Sequence, residues 1–123
     1  MLLPVLFHWS PGDRRQSIIR EGLKPYSPTT VSTREASGEV VVWPYVCLSP
    51  APATAWGLSG DMGWASAVDV WDLWQVRLTG DDEVHVRSEW GNHLREIRVR
   101  NAIPPDRVWW CGRREELLAE PAA

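Results

Sequence analysis

Two residues of this 123-residue chain stand where a side chain can do chemistry instead of packing. His8 ends the apolar run "PVLFHW", and Glu96 heads the late alternating segment "REIRVRNA". A histidine where a strand finishes can be a satisfied core ring or a group that hydrogen-bonds a ligand. A carboxylate at a strand head can be an ordinary edge acid paired with Arg95 or Arg98. It can also steady positive charge that develops during a reaction. Glu89, in "SEWGN", is the alternative carboxylate. Ser49 ends "VVVWPYVCLS" and reads as a helix N-cap, a ligand contact, or both. The sequence contains no phosphate-loop, dinucleotide-glycine, H-E-x-x-H or G-x-S-x-G signature. His8, His85 and His93 lack metal-ligand spacing, so no metal is expected.

Composition narrows the classes further. The length predicts one domain over residues 1–123, and 44% hydrophobic residues suffice for one sizeable core. A net charge of −3 gives no global signal for nucleic acid or anionic membrane. Basic residues do gather late: Arg95, Arg98, Arg100, Arg107, Arg113 and Arg114 stand against Glu96 and Asp106. That is a local cationic surface or a set of solvated strand faces. Cys47 and Cys111 form no C-x-x-C pair, and their apolar neighbours predict buried free thiols in a reducing cytoplasm. "MLLPVLF" is short for a signal peptide and lacks a basic leader, and no run reaches membrane-spanning length. Nine tryptophans are many for this size. Trp packs cores, and it also lines flat ligand sites and interfaces.

The positioning elements can be read from pattern and punctuation. "PVLFHW" predicts a first strand stopped at Ser10-Pro11-Gly12. "DRRQSIIREG" predicts a helix capped by Asp13, with Gln16 completing a capping box and Gly22 closing it. Ile18, Ile19 and Leu23 supply its buried face. Residues 24–39 are rich in Pro, Ser and Thr and predict a long loop. "VVVWPYVCLS" predicts a strand with Pro44 at an edge or bulge. It leads into a helix over "PAPATAWGLSG", with Ser49 as cap and Pro50 first. "DLWQVRL", "TGDD" and "EVHVR" predict a β-hairpin. "REIRVRNA" and "RVWWCG" predict two more strands, and "RREELLAE" a terminal helical turn. Strand, helix, strand, helix, then several strands is an α+β order.

These parts in this order resemble the ADP-ribosyltransferase superfamily, including its RNA 2′-phosphotransferase and DNA-modifying toxin branches. The resemblance rests on His8-Trp9-Ser10 as an H-x-[ST] strand end, on the helix ending in "EGLKP", and on "VCLS" running into a helix. It also rests on Glu96 at the strand head of "REIRVRNAIPPDRV". It covers nearly the whole chain and implies a split β-sandwich of two small sheets with a few short helices. It further implies NAD as substrate and a macromolecular acceptor, protein or nucleic acid, with no membrane partner. By position, His8 would bind the NAD ribose, and Trp9 and Ser10 would grip the nicotinamide amide mainly through backbone. Glu96 would be the catalytic carboxylate. The strand with Tyr45, Cys47 and Ser49 would flank the nicotinamide. Two departures stand out: Cys47 replaces a common Tyr, with Tyr45 two residues earlier on the same face, and Trp9 replaces a common Gly. Ring stacking would then fall to Tyr45, Trp9 or Trp56, or be absent. The other functions open to such a chain are a non-catalytic Trp-rich interaction module and an NAD hydrolase or phosphotransferase-like enzyme.

Overall fold

The computed structural model describes residues 5–26, 44–60, 70–87 and 95–114. Within them lie six strands and two α-helices: β1 (Val5–Pro11), α1 (Arg15–Glu21), β2 (Val46–Leu48), α2 (Pro52–Gly60), β3 (Trp71–Arg77), β4 (Val84–Val86), β5 (Ile97–Val99) and β6 (Val108–Arg113). The strands form two three-stranded antiparallel sheets, ordered β1-β3-β6 and β2-β5-β4. The α+β class is therefore as the sequence predicts, and two small sheets with few short helices are as the resemblance implies.

β3 runs through the middle of sheet one and is buried along nearly its whole length. Its alternation divides the core in two. Trp71 and Leu73 join Trp9 and Ala55 under α2, with Phe7, Trp56 and Cys111 at the margin. Trp74 and Val76 point the other way and join Leu6, Leu48, Val46, Val99, Val108, Ile18, Leu23 and Ile103 between the sheets and α1. His8 and Ser10 alternate with Trp9, so they share the inter-sheet face with Leu6.

The predicted hairpin is the main correction. β3 and β4 are not partners: β3 pairs with β1 and β6, whereas β4 pairs with β5 in the other sheet. The intervening turn carries the chain from one sheet to the other. Asp82 fixes it, accepting from the Thr79 N–H at 2.7 Å, from Asn101 Nδ2 at 2.8 Å and from Arg107 at 2.6 and 3.0 Å. Alternation predicts strands, but pairing depends on which apolar faces meet in space.

Several boundaries also move. The first helix opens with a 3₁₀ turn over Gly12–Arg14, and its Arg14 N-cap makes no side-chain capping bond, so the Asp13–Gln16 capping box does not form. Ile18 and Leu23 are buried, but Ile19 is 54% exposed. Gly22 does close the helix: its φ is 79°, its N–H donates to the Ile18 carbonyl, and a Cβ there would collide with the Ile103 carbonyl oxygen. The second helix starts at Pro52, not Pro50, so Ser49 lies outside its N-cap position. The loop beyond residue 26, the "SEWGNHL" segment with Glu89 and the C-terminal turn beyond residue 114 lie outside the described residues.

Candidate functional site

The two sheets meet where β1 passes β2. Phe7 and Ser49 exchange both backbone hydrogen bonds, at 2.8 and 3.0 Å. Across this junction the order is β3, β1, β2, β5, β4. β2 thus lies between the strand that carries His8 and the strand that Glu96 heads.

His8 is tied to that middle strand. Its Nδ1 lies 2.8 Å from the Cys47 carbonyl oxygen. A carbonyl only accepts, so Nδ1 carries the proton and Nε2 is left as an acceptor in the neutral ring. Burial lowers the His8 pKa, opposed by the Cys47 hydrogen bond and reinforced by the nearby Arg14 charge. The ring is therefore neutral at pH 7.

Trp9 and Ser10 divide their labour. The Trp9 side chain turns away from His8, is 3% exposed, donates from Nε1 to the Pro52 carbonyl at 2.8 Å and packs edge-to-face on Trp56. Its backbone is another matter. Antiparallel pairing alternates the direction of N–H and C=O, so Trp9 presents these groups to the same edge as Phe7. That edge lies one step past the bridge to Ser49. Ser10 is buried, and its hydroxyl accepts from Trp74 Nε1 at 2.9 Å. Ser49 is fully buried with its hydroxyl 2.6 Å from that of Thr54, which makes it a brace between β2 and α2.

Glu96 gathers a second group. It is 5% exposed, and Arg98 Nε donates to it at 2.9 Å while Arg87 Nη1 lies 3.7 Å away. Cys47 pairs with Arg98 across β2 and β5. The Cys47 thiol is pushed well up by burial and by the charge and hydrogen bond of Glu96. Tyr45 lies under Arg98, whose guanidinium carbon is 4.3 Å from the ring centroid. Burial raises the Tyr45 pKa, with smaller charge effects from Cys47, Arg98, Glu96 and Arg87. Arg95, just before Glu96, has a φ of 55°. That conformation is uncommon for a side-chain-bearing residue and is found at sites held by their surroundings.

The structure therefore brings His8 and Glu96 to one residue, Cys47, from opposite sides: one to its carbonyl, the other to its thiol. Tyr45 belongs to the same group. Trp9 and Trp56 rings do not, because Trp9 packs edge-to-face on Trp56 of α2, with Arg114 over Trp56 at 4.1 Å. Cys47 and Cys111 are free thiols, half-buried instead of buried, and Cys47 faces charged neighbours instead of the apolar ones its sequence context predicts. Sequence reading missed Arg87 as a Glu96 partner. The Arg98 pairing was visible, since Arg98 lies two residues along an alternating strand. No protein-family model matches the chain, and no curated protein or solved structure is significantly similar to it.

Proposed function

We propose that the protein is a compact ADP-ribosyltransferase that takes NAD and transfers ADP-ribose to a macromolecular acceptor, protein or nucleic acid. The observation that carries this reading is the convergence of His8 and Glu96 on Cys47. Two small antiparallel sheets joined at β1 and β2 suit the split β-sandwich of that superfamily.

Each group has a physical task. His8 Nε2 accepts from a hydroxyl of the nicotinamide ribose. The backbone N–H and C=O of Trp9 match the C=O and NH₂ of the carboxamide. When the bond between ribose C1′ and nicotinamide breaks, its electron pair leaves with the nicotinamide nitrogen. Positive charge then spreads over C1′ and the ring oxygen. Glu96 stabilises that charge in a largely dry site, where a fixed carboxylate acts more strongly than in water. The acceptor nucleophile adds to C1′ through its lone pair, and its proton passes to solvent water. Arg98, held over Tyr45, fixes the orientation of the Glu96 carboxylate. Such an enzyme would serve as a toxin or as a phage factor against host defence.

One observation favours a second reading. Two guanidiniums offset the Glu96 charge, as in a structural ion pair, and this fits a non-catalytic interaction module on the same fold. Incubating the purified protein with labelled NAD and a host lysate separates the two. Label on protein or nucleic acid supports transfer, and free ADP-ribose alone indicates an NAD hydrolase. Glu96→Gln keeps shape and hydrogen bonding but removes charge. We expect it to lower transfer about a hundredfold or more and to change NAD affinity less than about tenfold, because the carboxylate acts mainly in the transition state. Full transfer by Glu96→Gln defeats the assignment.

A further inference from the structure

Sheet two ends at β4, and among the described residues no strand lies beyond it. All of β4 is exposed, with Val84 at 43% and Val86 at 56%. The ladder to β5 fixes which backbone groups point outward. The Arg87 N–H donates to the Glu96 carbonyl at 3.1 Å, and the Glu83 carbonyl accepts from the Arg100 N–H at 3.0 Å. Antiparallel pairing alternates these directions, so Val84 and Val86 turn their N–H and C=O groups to the open edge. Their side chains share a face with their partners Val99 and Ile97, of which Val99 belongs to the inter-sheet core and Ile97 packs against it. The apolar face of the sheet thus runs past its cover.

Outward backbone groups on an exposed β-branched edge are a template for another strand. The side chains say which strand. Read outward from His85, "EVHVR" is symmetric in its valines and opposite in its charges. An antiparallel copy aligned on His85 sets Val84 against Val86, and Glu83 against Arg87 at either end. The hydrogen-bond parity agrees, because Val84 and Val86 both carry outward groups and so bond to each other across the axis. Glu83 is exposed, and the Arg87 side chain is 33% exposed with Nη1 3.7 Å from Glu96. A guanidinium has donors enough for a second carboxylate.

We propose that β4 pairs with β4 of a second copy about a two-fold axis at His85, so that sheet two continues from one copy into the other. A two-fold contact must be self-complementary, and the order Glu83, Val84, His85, Val86, Arg87 meets that condition. Val84 and Val86 of both copies extend the apolar face, and the Glu83–Arg87 pairs lie on the other. Such pairing depends neither on NAD nor on transfer. The seam is much smaller than a stable interface, so the dimer is weak, with a dissociation constant on the order of 10–100 μM.

Sedimentation equilibrium over a series from about 5 μM to 1 mM tests this. The native protein should pass from monomer to dimer. Val86→Pro removes an outward N–H and leaves the ladder to β5 intact. It should keep the native circular dichroism and weaken self-association about tenfold or more. Glu83→Arg and Arg87→Glu each set like charges across the axis. Each alone should associate about tenfold more weakly, and the two mixed should recover association because opposite charges then face each other. If Arg87→Glu fails to fold through loss of a Glu96 partner, Val86→Pro and Glu83→Arg decide. Native protein that stays monomeric throughout overturns the proposal, as does a dimer that Val86→Pro leaves unchanged. A mixture of the folded charge variants that associates no better than either alone overturns it too.

Discussion

A side chain is informative here when its hydrogen bond leaves it one remaining role. His8 is the clearest case. Its Nδ1 faces a carbonyl, so the ring must be the Nδ1–H tautomer with Nε2 as a bare acceptor. Long-range ¹H–¹⁵N spectra at pH 7 should show that tautomer, and a protonated Nε2 would contradict the arrangement. The depressed pKa sets a sign for pH as well. Unfolded, the ring takes its proton near its ordinary value of 6.5. Folded, it does so lower. The His8 contribution to stability is then whole above that value and shrinks as the pH falls below it. His8→Ala should flatten this part of the stability profile. It should also weaken NAD binding by about 1–3 kcal/mol, the cost of one buried polar partner. An unchanged affinity would make the ring a core residue.

Elements succeed or fail by their ends. Gly22 closes α1 at a φ of 79° and lets Leu23 pair with Ile103, with backbone bonds of 2.9 and 2.8 Å. An alanine there meets both an unfavourable backbone conformation and the Ile103 carbonyl. Gly22→Ala should cost roughly 2–4 kcal/mol, strain plus displaced backbone. Denaturant unfolding would reveal it, and a loss below about 0.5 kcal/mol would mean that the Ile103 segment moves aside freely. This terminus was legible in the sequence because glycine after a helical run has few other uses. The start of the same helix was misread. Asp13 and Gln16 have the right spacing for a box, but the 3₁₀ turn over Gly12–Arg14 takes the place of a side-chain cap.

At the scale of the molecule the crossing between sheets is the decisive feature. Asp82 sits at that crossing and receives Arg107 from the turn just before β6 and Asn101 from the chain just after β5. The Arg107 hydrogen bond, aided by the Thr79 and Asn101 bonds, lowers the Asp82 pKa from 3.8 to about 2. A depressed carboxylate stabilises the fold above its unfolded pKa and loses that contribution as pH falls towards the folded value. Solvent screens part of this pair, so the contribution at pH 7 is on the order of 1 kcal/mol. Asp82→Asn should therefore lower stability at pH 7 and should lose its difference from the native protein near pH 2. Parallel unfolding curves at pH 7 and pH 2.5 check this, and an equal deficit at both would assign the loss to packing.

The sequence alone determined the α+β class, the strand segments around His8, Cys47 and Ile97, the glycine stop of α1 and the residues with chemical potential. Those features are local: alternation, capping and turn residues act over a few positions and leave a trace in the string. Tertiary structure decided the rest. It sent β3 and β4 to different sheets, turned the Trp9 ring under α2 while leaving its backbone at the β1 edge, and joined His8 and Glu96 at Cys47. It also bonded Arg15 and Trp110 to Asp72 from three distant segments. Contacts between residues tens of positions apart depend on which apolar faces bury each other, and burial is non-directional, so no short-range pattern records its partners.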